Sequence, residues 1–299
     1  MSDVWADLFP TRAVVVDGGL STQLEARGHD VNDRLWTGRV LLDDPSAITR
    51  AHRDFVDAGA HVVISASYQV SRPGFVAEGL SEGDADEALL ASIAAAREAA
   101  TGDVRVAASV GPYGAILHDG SEYRGRYGLT HEQLVDFHSA RLAVLVEGAP
   151  DLLAVETIPD VDEARALVDV LNGHPGMPAW MTFSAADEAR TCAGQPIEEA
   201  VTVAASSPSV VAVGVNCTDP RHFTPLLHRM RAVTELPLVI YPNAGGSWNP
   251  STGAWDDALA EGFSPALVEV WQQGGAVAVG GCCGTGAGAI ADLARQLRG

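Results

Sequence analysis

Short runs of β-branched and other apolar residues recur along the chain, separated by alanine- and leucine-rich stretches whose apolar positions repeat at helical spacing. The runs predict strands at Ala13–Val16, His61–Ile64, Val104–Ala108, Leu152–Val155, Ala179–Phe183, Val210–Val215, Leu238–Tyr241 and Ala276–Val279. The stretches between them predict helices, notably Pro45–Ala58, Asp84–Ala100, Thr130–Glu147, Val161–Leu171, Ile197–Ala205, Pro265–Gln273 and Ala287–Leu297. Strands that are apolar throughout and alternate with helices imply a parallel sheet covered on both faces. Eight such repeats in 299 residues fit an α/β chain folded as one (β/α)8 TIM barrel over 1–299. A doubly wound open sheet normally uses fewer strands for one domain, and no proline- or serine-rich linker divides this chain.

A barrel of this kind carries its active site on the loops after the C-terminal ends of the strands. Polar and special residues fall there repeatedly. Asp17-Gly18-Gly19 ends the first strand, Ser67-Tyr68-Gln69 follows the second, and Glu156-Thr157 ends the fourth. Asn216-Cys217 ends the sixth, Tyr241-Pro242-Asn243 the seventh, and Gly280-Gly281-Cys282-Cys283 the eighth. The glycine- and aromatic-rich segments Gly111–Leu129 and Pro242–Phe263 are then rim loops.

Three of the four cysteines thus lie where the fold places chemistry. The sixth and eighth strands of a closed barrel are separated by one strand, so their loops converge. Thiolates are soft ligands suited to zinc, and three protein ligands leave one tetrahedral position open. Glycines at 280, 281 and 284 let the backbone turn tightly around the adjacent pair. Buried structural thiols or a vicinal disulfide are the competing readings, and no CxxC pair is present. Cys192, in the polar loop Ala185–Gln195, is set aside as an incidental thiol.

Other motifs carry less. The nine histidines form no HExxH-type cluster, and His131 and His138, about two helical turns apart, are expected on a helix surface. Gly284-Thr285-Gly286-Ala287-Gly288-Ala289 satisfies a dinucleotide-binding pattern, but too few residues follow for the second strand and its acidic residue. It reads as a turn into the last helix. Asp17 and Glu156 are acids at the ends of apolar strands, where a carboxylate is costly without a partner. They are either hydrogen-bonded structural acids, a site for a cationic amine, or the carboxylate pair of a glycosidase. The glycosidase reading leaves the cysteines without a role.

Composition narrows the partners. With 47% hydrophobic and 19% charged residues the chain folds rather than remaining disordered. A net charge of −20 repels nucleic acid and anionic membrane surfaces and is compatible with a cationic ligand. Four cysteines make no disulfide scaffold. The first residues lack a signal-peptide pattern, and no apolar run approaches the roughly 20 residues that cross a bilayer. A reducing, cytoplasmic setting is expected.

Taken together, several motifs resemble the homocysteine S-methyltransferase family, which includes betaine–homocysteine methyltransferase and the homocysteine domain of cobalamin-dependent methionine synthase. They are Asp17-Gly18-Gly19 with Leu24-Glu25-Ala26-Arg27-Gly28, Ala66-Ser67-Tyr68-Gln69, Gly111-Pro112-Tyr113-Gly114-Ala115 and Asp119-Gly120-Ser121-Glu122-Tyr123-Arg124-Gly125. Glu156-Thr157-Ile158-Pro159, Gly214-Val215-Asn216-Cys217, Tyr241-Pro242-Asn243 and Gly280-Gly281-Cys282-Cys283 complete the set in family order.

The resemblance implies a Zn2+ site made by Cys217, Cys282 and Cys283, and an ammonium site for homocysteine made by Asp17 and Glu156. It places Asn216 beside the substrate or its neighbours, and Trp36 and Tyr68 near the donor pocket, where aromatic faces suit a sulfonium or quaternary ammonium; a packing role in the core is the other reading of Trp36. Ser65 stands where the short enzymes of the family often carry threonine, and keeps the hydroxyl. The short forms use S-methylmethionine or S-adenosylmethionine, and the implied reaction is methyl transfer from such a sulfonium to homocysteine, forming methionine. Methyl transfer to selenocysteine or another thiol, and a non-catalytic zinc-binding barrel, are the alternatives.

Overall fold

The computed structural model of the protein describes residues 4–11, 13–245, 247–249, 254–256 and 263–298. Eight strands form the central sheet: β1 (Val14–Val15), β2 (Val62–Ile64), β3 (Arg105–Val110), β4 (Leu152–Ile158), β5 (Ala179–Phe183), β6 (Val210–Asn216), β7 (Leu238–Tyr241) and β10 (Ala276–Val279). Their order is β1-β10-β7-β6-β5-β4-β3-β2, with every pairing parallel. A parallel bridge between Val16 and Val62 joins β1 to β2 and closes the ring. Inside the rim segment Pro242–Phe263 lies a small antiparallel hairpin, β8 (Ser247–Asn249) with β9 (Ala254–Asp256); the remainder of that segment after 245 and before 263 lies outside the described residues.

Helices follow the strands: α4 (Pro45–Ala58) and α6 (Glu82–Ala99) after β1 and β2, then α7 (His131–Glu147), α8 (Val161–Asn172), α9 (Ile197–Ala204), α10 (Phe223–Arg231), α11 (Pro265–Gln273) and α12 (Ala287–Arg298). Local chemistry sets their ends. Pro45 opens α4 behind an Asp44 cap, and Gly59 closes it at φ 100°. Ser81 with Asp84, and Thr130 with Gln133, form capping boxes at α6 and α7. Shorter helices α1 (Val4–Leu8), α2 (Leu20–Ala26), α3 (Thr37–Asp43) and α5 (Arg72–Ala77) fill the gaps. Among the described residues no helix is long and apolar enough to cross a membrane.

Alternation along each strand sorts side chains into two layers. Val15, Val63, Val106, Leu153, Val155, Met181, Val213, Ile240 and Val279 point outward into the large core beneath the helices. Val14, Val16, Val62, Ala107, Leu152, Ala154, Trp180, Ala212, Val239 and Ala278 fill the barrel interior, together with Trp5 and Phe9 from the N-terminal segment. Continuing the inward parity to the strand ends brings Ile64, Ser109, Glu156, Thr182, Asn216, Tyr241 and Gly280 to the top of the interior. The same alternation that builds the apolar core therefore delivers a polar layer at the C-terminal face.

His138 departs from the sequence expectation. It is fully buried, and its Nε2 lies 2.9 Å from Oε1 of Glu163 in α8. The reason is helical periodicity: Leu134, His138, Leu142 and Leu145 share the buried face of α7. Glu163 also accepts from the Tyr113 amide at 2.6 Å and the Tyr127 hydroxyl at 3.1 Å. This buried carboxylate ties the rim segment Gly111–Leu129 to α7 and α8. His131, at the start of α7, is exposed and lies 2.8 Å from Asp169.

Candidate active site

A cavity opens at the C-terminal face, lined by residues from the ends of β1, β2, β3, β4, β6, β7 and β10 and by the rim. Asp17, Trp36, Ser65, Tyr68, Glu156, Cys217, Cys282 and Cys283 all line it. Asn216 does not. It is fully buried below the floor and acts on the residues that do line the cavity.

The two cysteine-bearing loops and the loop after β7 between them are cross-tied by backbone hydrogen bonds. Cys217 N donates to Tyr241 O at 3.0 Å, Cys282 N to Pro242 O at 2.7 Å, and Ala244 N to Cys283 O at 2.9 Å. Cys217 holds φ at 47°, a left-handed conformation that turns its thiol toward the β10 loop. All three sulfurs lie within 4.8 Å of one another. Cys283 Sγ is 3.6 Å from Cys217 Sγ and 4.0 Å from Cys282 Sγ. Sulfurs on a tetrahedral zinc with bonds of about 2.3 Å stand about 3.8 Å apart, so both separations suit a shared ion.

The Cys217–Cys282 pair is joined as a disulfide, with Cα atoms 5.4 Å apart. The sequence reading admitted only a vicinal bridge as the oxidised alternative; the bridge instead spans the two loops. The cause is their convergence across β7, which brings the Cα atoms into disulfide range as well as into metal range. Cys283 keeps a free thiol, which burial above all, with carboxylates of Glu122 and Glu156 nearby, pushes up to about 11. A thiol so placed stays protonated until a cation arrives, and a soft metal ion reverses that balance. The donor set fits a thiophilic metal held by Cys217, Cys282 and Cys283 once the bridge is reduced.

The two acids line the same cavity as the sulfurs. Asp17 accepts the Ile64 amide on Oδ2 at 2.8 Å, while its own carbonyl accepts the Gly281 amide at 3.0 Å. Gly18 and Gly19 are required beside it: a Cβ on Gly18 would lie 2.5 Å from Thr285 O, and one on Gly19 2.6 Å from Cys282 O. Ser109 donates a short hydrogen bond to Glu156 Oε1, and the Tyr241 hydroxyl also faces this carboxyl. Burial raises both acids: Asp17 well above the carboxylate range, with Glu156 adding to it, and Glu156 to about 7. Two desolvated carboxyls in one cavity, with no cationic side chain acting on them among the described residues, are costly to ionise without a partner.

Asn216 fixes the Glu156 wall of the cavity from beneath. Its Oδ1 accepts the Thr157 amide and the Thr182 hydroxyl, both at 2.8 Å, and its Nδ2 donates to Thr157 Oγ1 at 2.7 Å. Thr157 sits at φ 61°, a strained position for a β-branched residue, next to Glu156. Ser65 is also occupied internally, 2.8 Å from Ser67 Oγ and accepting the Ser109 amide at 3.2 Å.

The aromatic wall is built from Trp36 and Tyr68, whose rings meet edge to face at 6.2 Å. Sequence reasoning assigned no role to Ser109, Glu122 or Tyr123. All three line the cavity, and the Tyr123 hydroxyl donates to Cys217 Sγ at 3.4 Å. Ser109 could be found from inward parity on β3; Glu122 and Tyr123 stand on a loop where no periodicity applies.

Strand-end thiols, buried acids and aromatic faces in one barrel mouth define an enzyme site for a small, charged, sulfur-bearing ligand. The homocysteine S-methyltransferase family model matches residues 14–297. Homocysteine S-methyltransferase 4 of Zea mays is 42% identical, covering 95% of this chain and 89% of the relative. Homocysteine S-methyltransferase YbgG of Bacillus subtilis is 37% identical, covering 98% and 96%. Among solved structures, the metallated form of the homocysteine methyltransferase MmuM from Escherichia coli superposes with a TM-score of 0.88 at 36% identity, covering 100% of both chains. Its oxidised form gives the same TM-score of 0.88. The chain belongs to the homocysteine S-methyltransferase family, and is a methyltransferase enzyme.

Proposed function

We propose that the protein transfers a methyl group from a sulfonium donor, S-methylmethionine or S-adenosylmethionine, to the thiol of homocysteine, forming methionine at a zinc site. The observation that carries this reading is the meeting of Cys217, Cys282 and Cys283 with Asp17 and Glu156 at one cavity. Zinc held by the three cysteines would supply the positive charge that keeps a fourth, substrate thiol as the thiolate nucleophile.

The chain's own residues bind and orient. Asp17 and Glu156 take the homocysteine ammonium, which supplies the cation their burial calls for. Ser109, Tyr241 and the Asn216–Thr157 pair hold that wall in place. Trp36 and Tyr68 offer aromatic faces to the sulfonium, a contact of about 0.5–2 kcal/mol when desolvated. The rim carrying Tyr123 covers Cys217, restricting water at the sulfurs. Positioning is what these residues contribute, because in-line displacement needs the thiol sulfur within about 3–3.5 Å of the methyl carbon. As the new S–C bond forms, the old one breaks with its electron pair returning to the donor sulfur. The donor leaves as a neutral thioether, so no side chain has to protonate it. A reducing, cytoplasmic setting keeps the thiols open for the metal.

The test is methionine production from homocysteine with S-methylmethionine, S-adenosylmethionine or betaine, before and after zinc removal. Turnover with a sulfonium that is lost on chelation and restored by zinc is expected. Zinc-loaded protein that forms no methionine from any of the three, or turnover indifferent to chelation, overturns the reading.

A further inference from the structure

The cavity holds one acid more than the acceptor's amine requires. Glu122 lies in the 3-10 turn Ser121–Tyr123 on the rim and lines the same cavity as Trp36, Tyr68 and Tyr123, from a rim turn rather than from a strand end. The carboxyl has a hydrogen bond from its own backbone, but its Oε2 is enclosed and has no hydrogen-bond partner among the described residues. The nearby Arg124 guanidinium acts on it only through its charge: it bonds Ser121 Oγ at 2.5 Å, pairs with Asp119 at 3.4 Å, and is largely exposed.

The backbone beneath Glu122 is fixed. Gly120 and Gly125, at φ 77° and 65°, bracket the turn. Gly114 packs directly against it, since a Cβ there would stand 2.5 Å from Glu122 N. Just beyond, the Arg126 amide donates to Asp160 at 2.8 Å and the Tyr127 hydroxyl to buried Glu163. An enclosed acceptor held this firmly and left unpaired costs free energy until a donor group reaches it.

Chemistry narrows what that donor is. A quaternary ammonium carries no N–H and satisfies no acceptor oxygen, whereas the α-ammonium of an amino acid does both jobs, charge and hydrogen bond. Homocysteine brings one ammonium, for which Asp17 and Glu156 suffice. A second ammonium that carries N–H groups enters with the methyl donor when that donor is itself an amino acid, as S-methylmethionine and S-adenosylmethionine are.

Building on the sulfonium reading above, we infer that Glu122 determines donor specificity by accepting a hydrogen bond from the donor's α-ammonium. It thereby selects amino-acid sulfoniums over methyl donors that lack an N–H group.

The test uses the zinc-loaded full chain and two compounds differing only in the amine: S-methylmethionine and 4-(dimethylsulfonio)butanoate, the latter measured as a competitor of the former. The wild-type protein binds the des-amino compound at least tenfold more weakly. In Glu122→Gln the KM for S-methylmethionine rises at least tenfold, while the KM for homocysteine and the inhibition constant of the des-amino compound stay within twofold. A merely structural role would move all three together. Equal wild-type affinity for the two compounds, an unchanged donor KM in the variant, or a matching rise in the homocysteine KM overturns the assignment. The wild-type comparison decides alone if the variant fails to fold. Wild-type protein inactive with every sulfonium is a different failure, that of the methyl-transfer reading, and removes this assignment with it.

Discussion

Asn216 and Thr157 grip each other across the barrel interior, amide oxygen to backbone N–H at 2.8 Å and amide nitrogen to hydroxyl at 2.7 Å. The grip holds Thr157 in its left-handed conformation, and with it the orientation of Glu156. Asn216→Ala leaves a buried amide unsatisfied and removes the Thr182 contact too. We expect a loss of about 2–4 kcal/mol in urea unfolding, at about 1–3 kcal/mol per orphaned group, with a raised KM for homocysteine. A loss below about 0.5 kcal/mol would show that Thr157 keeps its conformation unaided.

Cys217 is the one proposed metal ligand on the loop after β6, and its backbone amide is already held by the Tyr241 carbonyl. Cys217→Ala therefore abolishes stoichiometric zinc binding and methionine formation while the circular dichroism spectrum stays that of the wild type. Full zinc content with normal turnover in this variant would exclude the thiol as a ligand.

With Cys217 and Cys282 joined, Cys283 is the one thiol of the cluster left free. Protein kept oxidised should take up well under one zinc per chain, and reductant should restore uptake to one. Elemental analysis after desalting measures both. Equal uptake in the two states would place the metal elsewhere.

Glu156 titrates near 7 in the folded chain against an ordinary value of 4.5, chiefly through burial. A folded-state pKa above the unfolded one means that the folded protein binds the extra proton between those values, so stability falls as pH rises from about 4.5 to about 7. Glu156→Gln lacks this proton uptake. In reduced, metal-free protein the stability advantage of the variant should grow across that window to about 3 kcal/mol at pH 8, because each tenfold change in proton affinity is worth about 1.4 kcal/mol. Parallel stability–pH curves for the two proteins would show that Glu156 is charged throughout. Excess homocysteine should narrow the gap if its ammonium sits there.

All eight barrel strands were legible because each is a short, mostly apolar run bounded by polar or glycine positions, and β5, β7 and β10 match their predicted limits. Pro45–Ala58 and Pro265–Gln273 were read to the residue, since proline at the helix start and glycine just past the end mark both boundaries. The helices α2, α3 and α10 escaped notice because they are short and start on Gly19, Trp36 and His222 without a side-chain cap. His138 was misplaced although its spacing to Leu134 and Leu142 already put it on the apolar stripe; a polar identity outweighed the period. Where Glu122 lies depends on a turn packed against Gly114, a contact between residues with no repeating relation in sequence. The Cys217–Cys282 bridge depends on loop geometry that motif spacing does not carry.

The strand β10 comes latest in the sequence yet lies between β1 and β7 in the sheet, and it delivers Cys282 and Cys283 to the site. Before it inserts, the sheet has two open edges and the cavity has a single thiol. Ring closure and completion of the sulfur cluster thus rest on the same strand, through contacts distant in sequence. The proposed metal site therefore shares its integrity with the ring: whatever loosens the β10 edge takes two of the three sulfurs with it.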